Sequence, residues 1–338
     1  MSVQRTDKGD VVEYKTVVKD RRKFMQLLAG TGGIAALAGC AGDEGGDNGG
    51  STDTGNGEDD QGNQMDDSDA ETVLRVGITA EPWNLDPALH TDVGSALVDT
   101  VIYDEVIGLT PDSELTPELA TELAQGNDDG TVWEFSLREG VKFHNGDEMT
   151  AEDLKYTFDW IANPDNNAAV LGYAPQLEGA ETEVLGDYQL RLTLSEPNSL
   201  WNTWMTRAIE GVVPKDSRGD LADAKGPKGV GTDLTTNPIG TGPFKFEEWQ
   251  SGSHLTLSAF EDHWRDGPPY VDRMRFEFIP ESSTRISRLR SDNLDMINRV
   301  PAKDFESLQN APETTAESIP GRRTITNYFN HNPTAYGE

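Results

Sequence analysis

The 338 residues carry 28 Lys and Arg against 60 Asp and Glu, a formal charge of −32. Such a surplus repels nucleic acid and acidic lipid headgroups, which excludes partners held through phosphate contacts. Cys40 is the single cysteine, so neither an intramolecular disulfide nor a cysteine-built metal cluster can form.

The first predicted element is a targeting segment. Arg21-Arg22-Lys23 precedes a short apolar run interrupted by Gly30, Gly32 and Gly33, and the run ends in Leu37-Ala38-Gly39-Cys40. Charged, apolar and small-residue regions in that order make a signal peptide, and the run is shorter than the ~20 residues a spanning helix needs. Arg21-Arg22-Lys23-Phe24 resembles the twin-arginine export motif, whose pathway carries proteins already folded. Leu37-Ala38-Gly39-Cys40 resembles a lipobox, in which the cysteine becomes the lipid-bearing first residue of the mature chain. The expectation is a signal peptide over 1–40, with Arg21 and Arg22 as export signal and Cys40 as lipidation site. The lipid would hold the protein on the outer face of the cytoplasmic membrane.

Residues 41–70 hold ten Asp and Glu, eight Gly and no Lys or Arg. They cannot bury enough apolar surface to offset the entropy of ordering and read as a solvated tether. The remaining 71–338 contain 21 basic and 46 acidic residues, a net −25, with 14 Arg and 7 Lys. At molar salt the Debye length falls to ~3 Å and this repulsion is screened. The acidic, lysine-poor balance looks like that of a salt-loving archaeon.

Val73–Ile78 is predicted as the first strand after the tether, closed by the turn-rich Glu81-Pro82-Trp83-Asn84-Leu85-Asp86-Pro87. Leu97, Val101, Ile102 and Val106 recur at helical spacing, predicting a helix over 94–107. Trp133, Phe135 and Leu137 alternate as a half-buried strand. Thr150-Ala151-Glu152-Asp153 predicts a capped helix start, continued by Leu154, Phe158 and Ile161 on one face. Further strands are predicted at 190–194, 244–246, 255–257 and 274–278. The pattern is mixed α/β, long enough for two domains. Gly240, Gly242 and Pro243 suit a tight crossing between domains where side chains would clash.

No nucleophile elbow, P-loop or dinucleotide fingerprint is present, and the five histidines are scattered. His144 therefore reads as structural, most tryptophans as core, and no catalytic residue, cofactor or metal site is expected.

Four segments resemble family 5 of the extracellular solute-binding proteins, the oligopeptide, dipeptide and nickel class of ABC importers. They are Leu74-Arg75-Val76-Gly77 through Asp86-Pro87; Trp133 to Asp147 running into Thr150–Leu154; Leu194-Ser195-Glu196-Pro197; and Asn237 to Phe244, continued by Trp249, His263-Trp264 and Gly267-Pro268-Pro269-Tyr270. The resemblance implies a class II periplasmic-binding-protein-like fold in which two lobes close over a ligand by hinge bending. It assigns 72–104 and 214–338 to the first domain and 105–213 to an inserted second domain. It implies a third domain, supplying most ligand contacts, beyond Glu338; Tyr328-Phe329-Asn330-His331-Asn332-Pro333 reads like the strand leading to the hinge. The ligand-facing positions it points to are Thr91, Asp92, Val93 and Tyr173. The implied function is non-enzymatic capture of a peptide, nickel complex, sugar or other small solute by a monomer, for delivery to ABC permease subunits. A surface sensor or adhesion module on the same fold is the alternative, and a tethered hydrolase a more distant one.

Overall fold

The computed structural model describes residues 11–19, 71–110, 112–218, 233–267 and 269–324. In chain order these form β1 (Val11–Lys19), β2 (Val73–Ile78), α1 (Val93–Ile102), β3 (Ile107–Leu109) and β4 (Leu115–Pro117). Then come β5 (Gln125–Gly126), β6 (Val132–Ser136), α2 (Ala151–Ala162), β7 (Glu181–Gly186), β8 (Gln189–Thr193) and α3 (Trp201–Ala208). The last group is β9 (Phe244–Gln250), β10 (His254–Ala259), β11 (Arg273–Phe278), α4 (Ser282–Arg290), β12 (Met296–Ile297), α5 (Ala302–Gln309) and β13 (Thr314–Thr324).

A seven-stranded mixed sheet runs β13-β1-β12-β2-β11-β10-β9, and a four-stranded antiparallel sheet runs β5-β6-β8-β7. Strand β2 is central because Leu74, Val76 and Ile78 bury one face while its edges pair in parallel with β11 and β12. The predicted strands are all present: β2 keeps its predicted bounds, β6 and β8 start one residue earlier and stop short of Leu137 and Leu194, and β9, β10 and β11 are longer by four, three and one residues, because ladder pairing continues past the apolar pattern.

The two sheets have separate cores. One gathers Leu74, Val76, Val98, Ile102, Tyr103 and, after a long interval, Val213, Phe244, Leu255 and Phe276. The other, apart from Ala88, draws on residues between Val106 and Val212, including Phe135, Phe158 and Trp201. Tyr156 and Ile239 pack against both. A smaller cluster of Ile286, Leu289, Leu294 and Leu308 lies under α4 and α5.

The crossings between cores explain where α1 stops. The apolar spacing predicts a helix to 107, but α1 ends at Ile102, whose carbonyl accepts a hydrogen bond from the Gly242 N–H at 2.9 Å. Tyr103 is extended, and the chain leads from it into the second core at Val106. The expected close approach at the glycines is present: a Cβ on Gly240 would lie 2.1 Å from the Ile102 carbonyl oxygen, and one on Gly242 2.6 Å from the Ile102 carbonyl carbon. The predicted cap also forms. Asp153 Oδ2 accepts from the Thr150 N–H at 2.8 Å, closing a capping box at the start of α2. Asp153 Oδ1 accepts from the Lys215 N–H at 2.8 Å, so the same carboxylate holds the return crossing.

Candidate functional site

The loop between β2 and α1 is pinned from below. Asp86 and Arg218 are fully buried and meet in a bidentate pair, Nε to Oδ2 at 3.0 Å and Nη2 to Oδ1 at 3.0 Å. The Arg218 guanidinium lies 4.4 Å from the ring centre of Trp160, and the Arg218 backbone N–H donates to the Tyr156 hydroxyl. The Tyr103 hydroxyl donates to the Leu85 carbonyl, and the Leu85 N–H to the Thr235 carbonyl. Leu85-Asp86-Pro87 is thereby fixed against α2 and both cores.

Past that anchor the loop carries the ligand-facing positions expected from the sequence. Thr91 is exposed, while Asp92 and Val93 are half-buried. Asp92 caps α1, its Oδ1 accepting from the Ser95 N–H at 3.0 Å. Its Oδ2 is buried without a hydrogen-bond partner. The Ala88 carbonyl accepts from the Ala169 N–H at 2.8 Å, which draws the short 3₁₀ turn Ala169–Gly172 and the following Tyr173 towards this loop. Arg207, on the last turn of α3, places its guanidinium 4.9 Å from the Tyr173 ring centre. Glu210 lies just beyond α3, within electrostatic reach of Arg207, Asp92 and His90. The structure therefore brings Asp92 and Tyr173 to one seam, with Arg207 and Glu210 between them.

The charges at this seam are perturbed. Burial pushes the Glu210 carboxyl above its ordinary value, against the pull of His90 and Arg207. His90 Nε2 meets Asp99 Oδ2 at 2.5 Å, with both side chains almost fully buried. Burial pushes Asp99 up to about 7 against the pull of His90. Burial opposes charge on His90, yet Asp99 and Glu210 outweigh it and raise the imidazole. His90 Nδ1 and Asp99 Oδ1 have no hydrogen-bond partner.

Arg207 and Glu210 escaped sequence reasoning. They are an ordinary pair at the end of a helix, and only the fold sets them beside a loop well over a hundred residues earlier. His144 is structural as expected. Its Nε2 faces the Gly242 carbonyl at 2.9 Å, its Nδ1 accepts from the Gly240 N–H, and burial lowers its pKa to about 4, so it stays neutral. Trp133, Trp160 and Trp201 are core residues, whereas Trp204 and Trp83 are exposed. Among the described residues no group of three or more His, Cys, Asp and Glu is placed to share a metal ion, and no helix is long and apolar enough to cross a membrane. Arg21, Arg22, Cys40, the tether and the strand expected near 328–333 lie outside the described residues.

Comparison with known proteins agrees with this architecture. The family model described as bacterial extracellular solute-binding proteins, family 5 middle, matches residues 114–337. The oligopeptide-binding protein AppA of Bacillus subtilis is 29% identical over 245 residues, covering 70% of this chain and 42% of that protein. Among solved structures, AgaA from A. tumefaciens R10, in complex with agropinic acid, superposes with a TM-score of 0.63 at 27% identity, covering 71% of this chain and 46% of that one. DppA from Helicobacter pylori, in complex with the peptide STSA, gives a TM-score of 0.61 at 28% identity, covering 72% of this chain and 50% of that one. The chain spans about half the length of the curated relatives it matches.

Proposed function

Because the chain belongs to the family 5 extracellular solute-binding proteins, we propose that it captures peptides, or another small solute, outside the membrane for delivery to an ABC permease. Its relatives are binding proteins of importers rather than enzymes. The observation that carries the reading is the seam itself. An aromatic ring, a cation and two carboxylates converge where the loop of one core meets the turn and helix end of the other. A mostly shaped cleft with a few placed polar groups is what solute selection without chemistry requires. We read 105–213 as an inserted domain and 72–104 with 214–338 as the first, because the two cores exchange at those points.

Export and anchoring belong to the same reading. Arg21 and Arg22 address the folded protein outwards, and a lipid on Cys40 holds it as a monomer at the cell surface. Two acyl chains anchor durably where one does not, since each buried methylene contributes ~0.8 kcal/mol.

The test is a peptide titration of the full chain followed by NMR, which detects binding even near ~1 mM, where the free energy is only ~4 kcal/mol. Tri- and tetrapeptides are expected to shift the resonances of residues 91–93 and Tyr173, and Glu210→Gln and Tyr173→Ala are expected to weaken the response. Shifts confined to other regions, or none at all up to about 10 mM, would overturn the assignment of this seam. Cys40→Ser is expected to release protein into the medium; a mutant as cell-bound as wild type would remove the lipid anchor from the reading.

A further inference from the structure

The two cores are joined by more than their chain crossings. Beyond β10 the chain of the first sheet runs along the second core, and side-chain contacts follow in order. The Phe260 and His144 rings meet edge-on with their centres 5.0 Å apart. Asp262 Oδ2 pairs with Lys142 Nζ at 3.2 Å. The Trp264 ring lies 4.7 Å from the Arg138 guanidinium, and the Arg265 guanidinium stands at the same distance from that ring. Residues 260, 262 and 264 thus meet 144, 142 and 138 in reverse order. Arg265 Nη2 continues the strip to Glu118 Oε2 at 3.0 Å, while Arg138 Nε donates to the Glu118 carbonyl.

The strip converges on one buried carboxylate. Asp104, in the outgoing crossing, accepts at Oδ2 from Trp264 Nε1 at 2.8 Å and faces His263 Nε2 there at 3.2 Å. Its Oδ1 lies 3.9 Å from Arg265 Nη2, so three consecutive side chains gather on it. Pulling the strip away would strand this carboxylate, which is costly in a buried place. Planar rings and guanidinium forks are also directional, so they fix a register where a purely apolar face could slide. Two compact cores joined by short connections reorient unless an interface holds them. The ligand-facing seam feels any such reorientation, because Asp92 belongs to α1 of the first core, whereas Tyr173, Arg207 and Glu210 lie within the second. We propose that Trp264 is a positioning residue of that seam: stacked with Arg138 and Arg265 and tied to Asp104, it sets the second core against the first, and with it the spacing of Tyr173, Arg207 and Glu210 from Asp92. The proposal rests on the solute-binding reading. It adds that the seam is arranged before a ligand arrives, so that binding does not bear the cost of ordering it.

Spin labels on the two cores test this in the purified full chain at high salt. Cys40→Ser removes the native thiol, and Asp165→Cys and Gln250→Cys supply one exposed label site on each core. A single narrow distance distribution is expected for this parent, and Trp264→Leu is expected to make it about twice as wide or more. Trp264→Phe keeps an aromatic face for both guanidinium groups and is expected to recover most of the narrowness. Lys155→Met, an exposed change on α2 away from the strip, is expected to leave the width alone. If the productive arrangement falls to about a fifth of the population, the apparent Kd for tetrapeptides rises about fivefold in Trp264→Leu. Should Trp264→Leu fail to fold, Arg138→Met removes one side of the stack and is read in the same way. An unchanged width in the folded variant, a Trp264→Phe distribution as broad as that of Trp264→Leu, or equal broadening by Lys155→Met would each overturn the proposal. A merely structural role would lower the melting temperature and leave the width as it was. The distances need no ligand, so the two readings fail separately: a parent that ignores peptides sinks the solute-binding reading, and an unmoved distribution sinks the positioning role.

Discussion

Two buried polar clusters lie close together in the chain and are built on opposite principles. At Asp86–Arg218, two full charges meet in a bidentate pair, with the guanidinium stacked on Trp160. At His90–Asp99, a single contact of 2.5 Å joins two groups whose other polar atoms lack hydrogen-bond partners, with Glu210 nearby. The first is a fixed rivet between the loop and α2, since neither group can give up its charge without stranding the other. The second is proton-linked, because burial has moved Asp99 to about 7, into the range where it titrates. The comparison teaches that burial alone does not decide whether a charge is structural or responsive; the number and geometry of its partners do.

Breaking the rivet is expected to give the largest effect. Arg218→Met leaves Asp86 buried and uncompensated, which costs about 3–5 kcal/mol. Denaturant unfolding at high salt would measure it, and a loss below about 1 kcal/mol would show that the pair is dispensable.

The proton-linked cluster is sharpened by pH. Asp99 ordinarily titrates at 3.8 and is raised in the fold, so the folded state holds its proton more tightly. The resulting stability is fully present below pH 3.8 and is lost as pH rises through about 7. His90, raised from 6.5, acts in the same sense at its upper end. Wild type is expected to lose on the order of 2 kcal/mol relative to Asp99→Asn between pH 4 and 8. Parallel pH profiles for the two proteins would refute the linkage.

A cap outside both clusters sets the lower scale. Thr150→Ala removes half of the capping box and is expected to cost ~1 kcal/mol by thermal unfolding. The smallest effect is an equality. Salt screens the exposed surplus of acidic residues but barely reaches a buried pair, so KCl is expected to raise the melting temperature of wild type and Arg218→Met equally. A rivet variant markedly more salt-responsive than wild type would mean that water already reaches Asp86. If neither protein melts higher in KCl, the salt-adapted reading of the surface fails.

Local signals in the sequence were strong enough to place the capped start of α2, the strands around β2 and the glycine crossing, because each depends on residues a few positions apart. Asp92 and Tyr173 could be singled out only through resemblance to a family. Arg207 and Glu210 could not, since an arginine three residues before a glutamate at a helix end is ordinary surface chemistry until Tyr173 and Asp92 are folded against it. Arg218 gave no warning of burial either, as its partner lies 132 residues earlier. Strand β1 was hidden for a different reason. Its pattern sits inside a segment that reads as a targeting signal, and its neighbours in the sheet lie near the other end of the chain.

The two crossings between the cores run against each other. A Cβ on Gly211, in the returning crossing, would stand 2.6 Å from the Cβ of Tyr103 in the outgoing one. A methyl group at 211 would therefore act as a wedge between the two strands of chain, forcing Tyr103 and the returning crossing apart at the point where they touch, without touching any residue of the ligand-facing seam.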